Sequence, residues 1–233
     1  ALSHARVYNL IVSDVLGDDP QTIASGPTVP PVGADAELVM RRFGMAGSLP
    51  SVSEQHSLPT PSTTVVANLS IALDSAAKMA VELGYAPVVL TRSLDGEARE
   101  VGRLLASIVA DGAVGKGSFG HRSCVLAGGE TTVTVRGDGV GGRNTEAALA
   151  AAIRLSGVAA VAIGFLATDG DDGPTGAAGA IVDGSIVAAD DRIVAIDAIQ
   201  RNNSYPFLRN RGAILETGPT GTNVNDLVIG LIG

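Results

Sequence analysis

The sequence predicts an α/β fold, a mixed and largely parallel sheet with flanking helices. Three observations carry this expectation. Short apolar runs alternate with longer segments of helical periodicity, the pattern of βαβ units. Residues rich in Gly, Asp, Thr and Asn follow several of the apolar runs at once, as loops do beyond the ends of strands. Apolar residues make up 45% of the 233-residue chain and charged residues only 17%, enough to build a core for one large α/β domain or two smaller ones.

Taken in order, residues 7–12 are an apolar run of the buried-strand kind that opens into a turn-rich loop. Residues 35–43 predict a short helix, and the Ser, Pro and Thr of residues 46–63 a surface crossover or linker. Residues 65–67 suggest a strand, 70–83 a helix, 87–91 a strand and 97–110 a second helix. Residues 112–120 are a glycine-rich break. Strands follow at 124–127 and 131–136, a helix at 144–155 and a strand at 160–166. Beyond a Gly/Asp loop lie a short strand near 180–182, a helix near 191–200 and strands at 213–216 and 224–232.

Composition excludes several functions. The formal net charge is −8 and there is no basic cluster, which argues against phosphate backbones and anionic lipid surfaces as partners. No Trp is present and Tyr and Phe are few, so single-stranded nucleic acid lacks stacking platforms. One cysteine, Cys124, rules out an intrachain disulfide, and with only three histidines it makes no zinc site. The longest apolar stretch is too short to span a bilayer and no signal-peptide pattern is seen, so a cytoplasmic setting is expected. The chain opens at Ala1 and runs almost at once into a strand, which is expected of a portion of a longer protein.

Chemistry concentrates in four loops, at residues 13–28, 128–146, 168–176 and 217–226. The second holds a dinucleotide-type pattern, Gly137-x-Gly139-x-x-Gly142, and Asp169 stands roughly where a ribose-binding acid belongs. Against a nucleotide-binding βαβ start, residues 131–136 alternate polar and apolar as a half-exposed antiparallel strand does. Arg143 would also crowd a diphosphate on the helix start, yet its fork suits a transferring phosphate or a carboxylate. The competing reading of Arg143 is a surface ion pair with Glu146. Asp169, Asp171 and Asp172 form an acidic loop suited to Mg²⁺, or else an Asx-rich turn; Asp14, Asp18 and Asp19 pose the same choice. Ser25-Gly26-Pro27-Thr28 and Thr217-Gly218-Pro219-Thr220-Gly221-Thr222-Asn223 are either anion nests or plain turns. None of the four loops contains a histidine, which leaves a Ser-His-Asp hydrolase without a base and leaves electrostatic positioning, the main need of phosphoryl transfer.

Three segments, LAGGETTVTVRGDGVGGRNTE, ATDGDDGPTGAAGAIVDG and TGPTGTNVNDL, resemble the signature segments of the MOFRL domain, the C-terminal part of type II glycerate kinases, a family often labelled hydroxypyruvate reductase. LIVSDVLGDDPQTIASGPTVP resembles the end of that family's first domain. The resemblance implies that residues 1–66 end a Rossmann-like domain and add a linker. Residues 67–233 would form the MOFRL-like α/β domain, with a sub-boundary at 112–120. It implies ATP- and Mg²⁺-dependent transfer of phosphate to D-glycerate in an interdomain cleft, with the missing N-terminal region of the same protein as partner and a homodimer left open. Carried over by position, Arg143, Glu130 and Asp14 would be catalytic. Ser13, Ser25, Gly26, Thr28, Gly142, Asn144, Thr220, Gly221, Asn223 and Asn225 would bind substrate or phosphate, and Asp169, Asp172 and Asp226 the metal. Leu69 stands where the family usually has a second Asn beside Asn68, and the chain lacks the family's N-terminal glycine-rich loop and lysine. An NAD(P)H-dependent hydroxypyruvate reductase and a noncatalytic ligand-binding domain remain as alternatives.

Overall fold

The computed structural model describes residues 6–26, 28–29, 36–47 and 61–233. Strand β1 (Tyr8–Val12) pairs in parallel with β2 (Ser62–Ala67) as a two-stranded sheet, and the short helix α1 (Ala36–Arg42) falls between them in sequence. The predicted linker lies mostly outside the described residues.

The remainder is built on one six-stranded sheet. Its strands are β3 (Ala86–Leu94), β4 (Ser123–Gly129), β5 (Val161–Ala167), β6 (Gly179–Asp183), β7 (Ile214–Leu215) and β8 (Asp226–Ile232), in the spatial order β3-β4-β8-β5-β6-β7. The α/β class with mixed strand direction is as expected, but the balance of directions is not. Within this sheet only β3 and β4 are parallel, because the last strand, β8, runs back between β4 and β5 and is antiparallel to both. The β5–β6 and β6–β7 pairs are antiparallel as well.

Alternation along the central strands assigns side chains to two layers. Val125, Ala127, Val228 and Ile232 face helices α3 (Ala98–Ala113) and α4 (Arg143–Leu155). Cys124 and Leu126, with Leu227, Ile229 and Leu231, face α2 (Leu69–Glu82) through Leu69, Leu73 and Ala80. Helix α4 is the most enclosed of the helices. Its run of alanines is buried, and α3 approaches so closely that a Cβ on Gly102 would lie 2.1 Å from the Ala147 carbonyl oxygen. Two further helices, α5 (Arg192–Gln200) and α6 (Ser204–Arg209), pack on α4. The sequence reading did not anticipate α6, which holds Pro206 and is too short to show a period.

Residues 131–136 are not a strand. Their only pairing among the described residues is an isolated bridge from Thr132 to Glu97. Alternation gave the segment a strand's pattern, but beyond the backbone bonds of Thr132 to Gly96 and Ala98 its amides go to side chains. The Glu97 carboxylate accepts from the Thr134 N–H at 2.9 Å and hydroxyl at 3.0 Å, and Asn202 holds the Arg136 and Gly137 amides.

Candidate functional site

Arg143 is the first residue of α4 and stands where the loop after β4, the loop after β5 and the start of β8 meet. Its Nε donates to Asp226 Oδ2 at 2.5 Å, its Nη2 to Asp226 Oδ1 at 3.1 Å and its Nη1 to Glu130 Oε1 at 2.9 Å. The fork is therefore held on two sides by carboxylates rather than by Glu146. Burial pulls the Arg143 pKa down, but Asp226 and Glu130 outweigh it and leave it above its ordinary value. Asp226 lies buried beneath the guanidinium. Burial raises its pKa, and the bonds from Arg143 oppose that rise.

Two of the free N–H groups at the start of α4 are already occupied. Asp172 reaches over from the loop after β5, accepting the Asn144 amide at Oδ1 and the Thr145 amide at Oδ2, both at 2.8 Å. It is 2% exposed, and burial raises its pKa against the pull of those amides. A carboxylate from a distant loop thus caps the helix and complements its dipole.

The glycines of residues 137–142 also serve packing. A Cβ on Gly137 or Gly139 would fall 2.3 Å or 2.5 Å from the Arg201 carbonyl oxygen, one on Gly141 2.3 Å from Ser204 Oγ, and one on Gly142 2.3 Å from the Asp172 carbonyl oxygen. The pattern that suggested a dinucleotide site is thus required by the protein's own packing on the side where each Cβ would stand.

A cleft of about 860 Å³ opens over Arg143. Glu130, Gly142, Arg143, Asp169, Asp172 and Asn223 line it, so the structure brings together six of the residues read from the sequence. Asp14 stands at its margin, where its backbone oxygen accepts from Asn225 Nδ2 at 2.7 Å and its carboxylate lies 3.5 Å from Asn223 Nδ2. Asn225, in the left-handed region with φ 68°, also directs Nδ2 toward Glu130 Oε2 at 3.5 Å. Asn144 is buried, with no hydrogen-bond partner for its Nδ2 among the described residues.

Others are turned away. Ser13 is buried and its Oγ bonds within its own turn to Val15. Thr28 accepts from Asn9 Nδ2 beside β1, and Gly26 ends a short 3₁₀ turn. The side chain of Ser25 lies outside the described residues. Thr220 Oγ1 is within bonding distance of the Thr168 and Thr222 carbonyls, which closes the turn that holds Gly221. The expected metal trio is not assembled. Among the described residues no three His, Cys, Asp or Glu side chains form a metal-binding group, since Asp172 caps α4 and Asp226 pairs with Arg143. Asp169 keeps one carboxylate oxygen free of hydrogen bonds among the described residues, the other accepting from the Asp171 amide.

Sequence reasoning missed Asn202 and Leu16, which also line the cleft. Asn202 follows α5 with φ 53°, and an asparagine just past a helix end is the available signal for that conformation. No helix among the described residues is long and apolar enough to cross a membrane.

Fold and cleft together define an α/β protein with an arginine, clamped by carboxylates at a helix start, at the floor of an acidic cleft. Residues 123–226 match the MOFRL family and residues 1–56 a domain of unknown function, DUF4147. The MOFRL match covers the part of the chain that holds Glu130, Arg143 and Asp226. D-glycerate 2-kinase of Thermotoga maritima is 44% identical over 239 residues, covering 98% of this chain and 57% of that protein. A provisionally named hydroxypyruvate reductase of Agrobacterium vitis is 41% identical, over 98% of this chain and 56% of its own. The crystal structure of the Thermotoga maritima glycerate kinase superposes with a TM-score of 0.90 at 42% identity, over 98% of this chain and 57% of that one. The chain thus spans a little over half the length of these relatives.

Proposed function

We propose that this chain forms one wall of the active site of a glycerate 2-kinase, which transfers the γ-phosphoryl group of ATP to a hydroxyl of D-glycerate. The observation that carries the reading is Arg143. It is fixed at the cleft floor by Asp226 and Glu130, and it stands in a chain 44% identical to a D-glycerate 2-kinase. Three bonds set the guanidinium plane, while one N–H on each terminal nitrogen is left for an anionic oxygen. Phosphoryl transfer asks for this, since the transition state spreads charge over equatorial oxygens and catalysis is mostly positioning and electrostatics.

The charge balance of the cleft supports a divalent cation. With Glu146 paired to Arg99, Glu130, Asp169, Asp171 and Asp172 still line it against Arg143, so anionic substrates meet net repulsion. Asp169, with its free carboxylate oxygen, and the exposed Asp171 fit one end of a Mg²⁺ site, because Mg²⁺ commonly takes one or two carboxylates and completes its shell with water and phosphate. Mg²⁺ when bound neutralises the phosphates and orients the transferring group. Glu130 is half-exposed beside Arg143, placed to accept the proton of the attacking hydroxyl. Asp14 and Asn223 close the margin, and the nucleotide is contacted largely by parts of the protein beyond this chain. We divide the chain, as part of this proposal, into residues 1–66 and 67–233, and place the protein in the cytoplasm, where ATP is available.

A reductase is disfavoured by one observation, the packing of Gly137, Gly139 and Gly141 against residues 201–204, which accounts for the glycine pattern without a dinucleotide. The test is a parallel assay on the natural full-length protein. Glycerate-dependent ADP formation is expected. NAD(P)H oxidation with hydroxypyruvate and no ADP would establish the reductase, and neither activity would leave a ligand-binding domain.

A further inference from the structure

We propose that Asn202 is a positioning residue for phosphoryl transfer, fixing the glycine loop and the helix that carries Arg143 to one another through Glu146 and Arg99. The functional part of this inference rests on the kinase reading; its structural part does not.

The wall of the cleft formed by Thr131, Thr132, Val133, Val135, Gly139 and Gly141 has no ladder to hold it. Its backbone groups need partners: residues 96–98 supply those of Thr132 and the Thr134 amide, and residues 201–205 those from the Thr134 carbonyl onward. Asn202 Oδ1 accepts the Arg136 amide at 2.7 Å and the Gly137 amide at 3.0 Å, and Nδ2 donates to the Thr134 carbonyl at 3.3 Å. Next to these, the Arg201 carbonyl accepts the Gly139 amide and Asn203 Oδ1 the Val140 amide, both at 3.0 Å.

The second proton of Asn202 Nδ2 goes to Glu146 Oε2 at 2.9 Å, and Glu146 Oε1 accepts from Arg99 Nε at 2.8 Å. Glu146 is 1% exposed and lies one turn beyond Arg143 on α4. Loop, helix α4 and helix α3 are thereby tied by one amide head, itself buried and held with φ 53°. Only an amide satisfies this arrangement, since it must accept two N–H groups and donate two. A buried network of this kind fixes geometry where its members are satisfied, as every side-chain polar atom of Asn202 and Glu146 is, while Arg99 Nη2 at its far end is buried without a partner among the described residues.

Asn202→Asp keeps the left-handed backbone accessible and keeps the two accepted amides, but it sets a carboxylate against Glu146 with no proton between them. Adding Glu146→Gln restores the missing donor with its direction reversed, while the Gln carbonyl still accepts from Arg99. In the natural full-length protein, Asn202→Asp is expected to lower kcat about 100-fold with KM changed only a few-fold, as loss of positioning does. The double variant should recover most of that loss. Amide hydrogen exchange of Arg136 and Gly137 should accelerate in the single variant and return toward wild type in the double. A folded Asn202→Asp with wild-type kcat, or a double variant as slow as the single, overturns the positioning role. In the event that Asn202→Asp does not fold, Glu146→Gln alone keeps the bonds of Asn202 to the loop and loosens its link to α4, along with the ion pair to Arg99; a kcat loss of about 10-fold then supports the role and an unchanged kcat overturns it. An absence of glycerate-dependent ADP formation in the wild type defeats the kinase reading, and the exchange comparison still decides whether Asn202 fixes the loop.

Discussion

Replacing Asp172 by Ala separates a helix cap from a metal ligand. In the structure both oxygens of this buried carboxylate are committed to the Asn144 and Thr145 amides, each at 2.8 Å. Removing a side-chain cap costs about 1–2 kcal/mol, and each buried amide left without a partner about 1–3 kcal/mol more. Part of this is offset, because burial of the carboxylate is itself unfavourable and raises its pKa. A net loss of about 2–4 kcal/mol follows, which for a chain of this size lowers Tm by about 5–15 °C. Asn at 172 should fall between, since its amide oxygen accepts one of the two N–H groups. The assay is thermal unfolding with and without Mg²⁺. The cap reading fails if Asp172→Ala melts with wild type in the absence of Mg²⁺ and loses only a Mg²⁺-dependent stabilisation, for then the carboxylate serves the ion.

Gly139→Ala forces a Cβ to within 2.5 Å of the Arg201 carbonyl and should cost about 1–3 kcal/mol, whereas Gly120→Ala, with nothing within 4 Å, should stay within about 0.5 kcal/mol. Urea denaturation of both variants checks this; equal stabilities mean the loop is not packed on residues 201–204. Glu97→Gln tests the anchor of residues 131–136. The Thr134 backbone N–H, with the Thr134 hydroxyl and Arg99, holds the Glu97 pKa below its ordinary 4.5. A depressed carboxylate stabilises the fold above its unfolded pKa, so wild type should exceed Glu97→Gln by about 1 kcal/mol at neutral pH. That margin should shrink as pH falls below 4.5 through the folded-state pKa, and a margin independent of pH speaks against the anchor.

Much of the fold was legible because burial dictates periodicity. The apolar run around Val125 and Leu126 and the alanine-rich stretch from Asn144 to Leu155 read as a strand and a helix, and they are β4 and α4. Strand direction was not legible, since the side-chain pattern of β8 is the same whichever way it runs between β4 and β5. Residues 131–136 misled for a related reason. Alternation reports which side chains face inward, not whether a neighbouring strand completes the ladder. At the site, the convergence of Arg143, Glu130 and Asp169 on one cleft followed from Gly- and Asp-rich loops placed at strand ends. The roles of Asp172 and Asn202 did not, because each depends on a contact with a segment far along the chain, Asn144 for one and Glu146 for the other.

The most direct measurement is the rate of glycerate-dependent ADP formation by the natural full-length protein carrying Arg143→Lys, compared with wild type at saturating Mg²⁺. Lysine keeps a positive charge over Asp226 but cannot hold both carboxylates and present a planar fork to a transferring phosphate. Loss of at least one transition-state donor predicts a fall in kcat of about 100- to 1,000-fold with the fold intact. A folded Arg143→Lys variant with wild-type kcat contradicts the assignment of Arg143 as the phosphate-gripping residue.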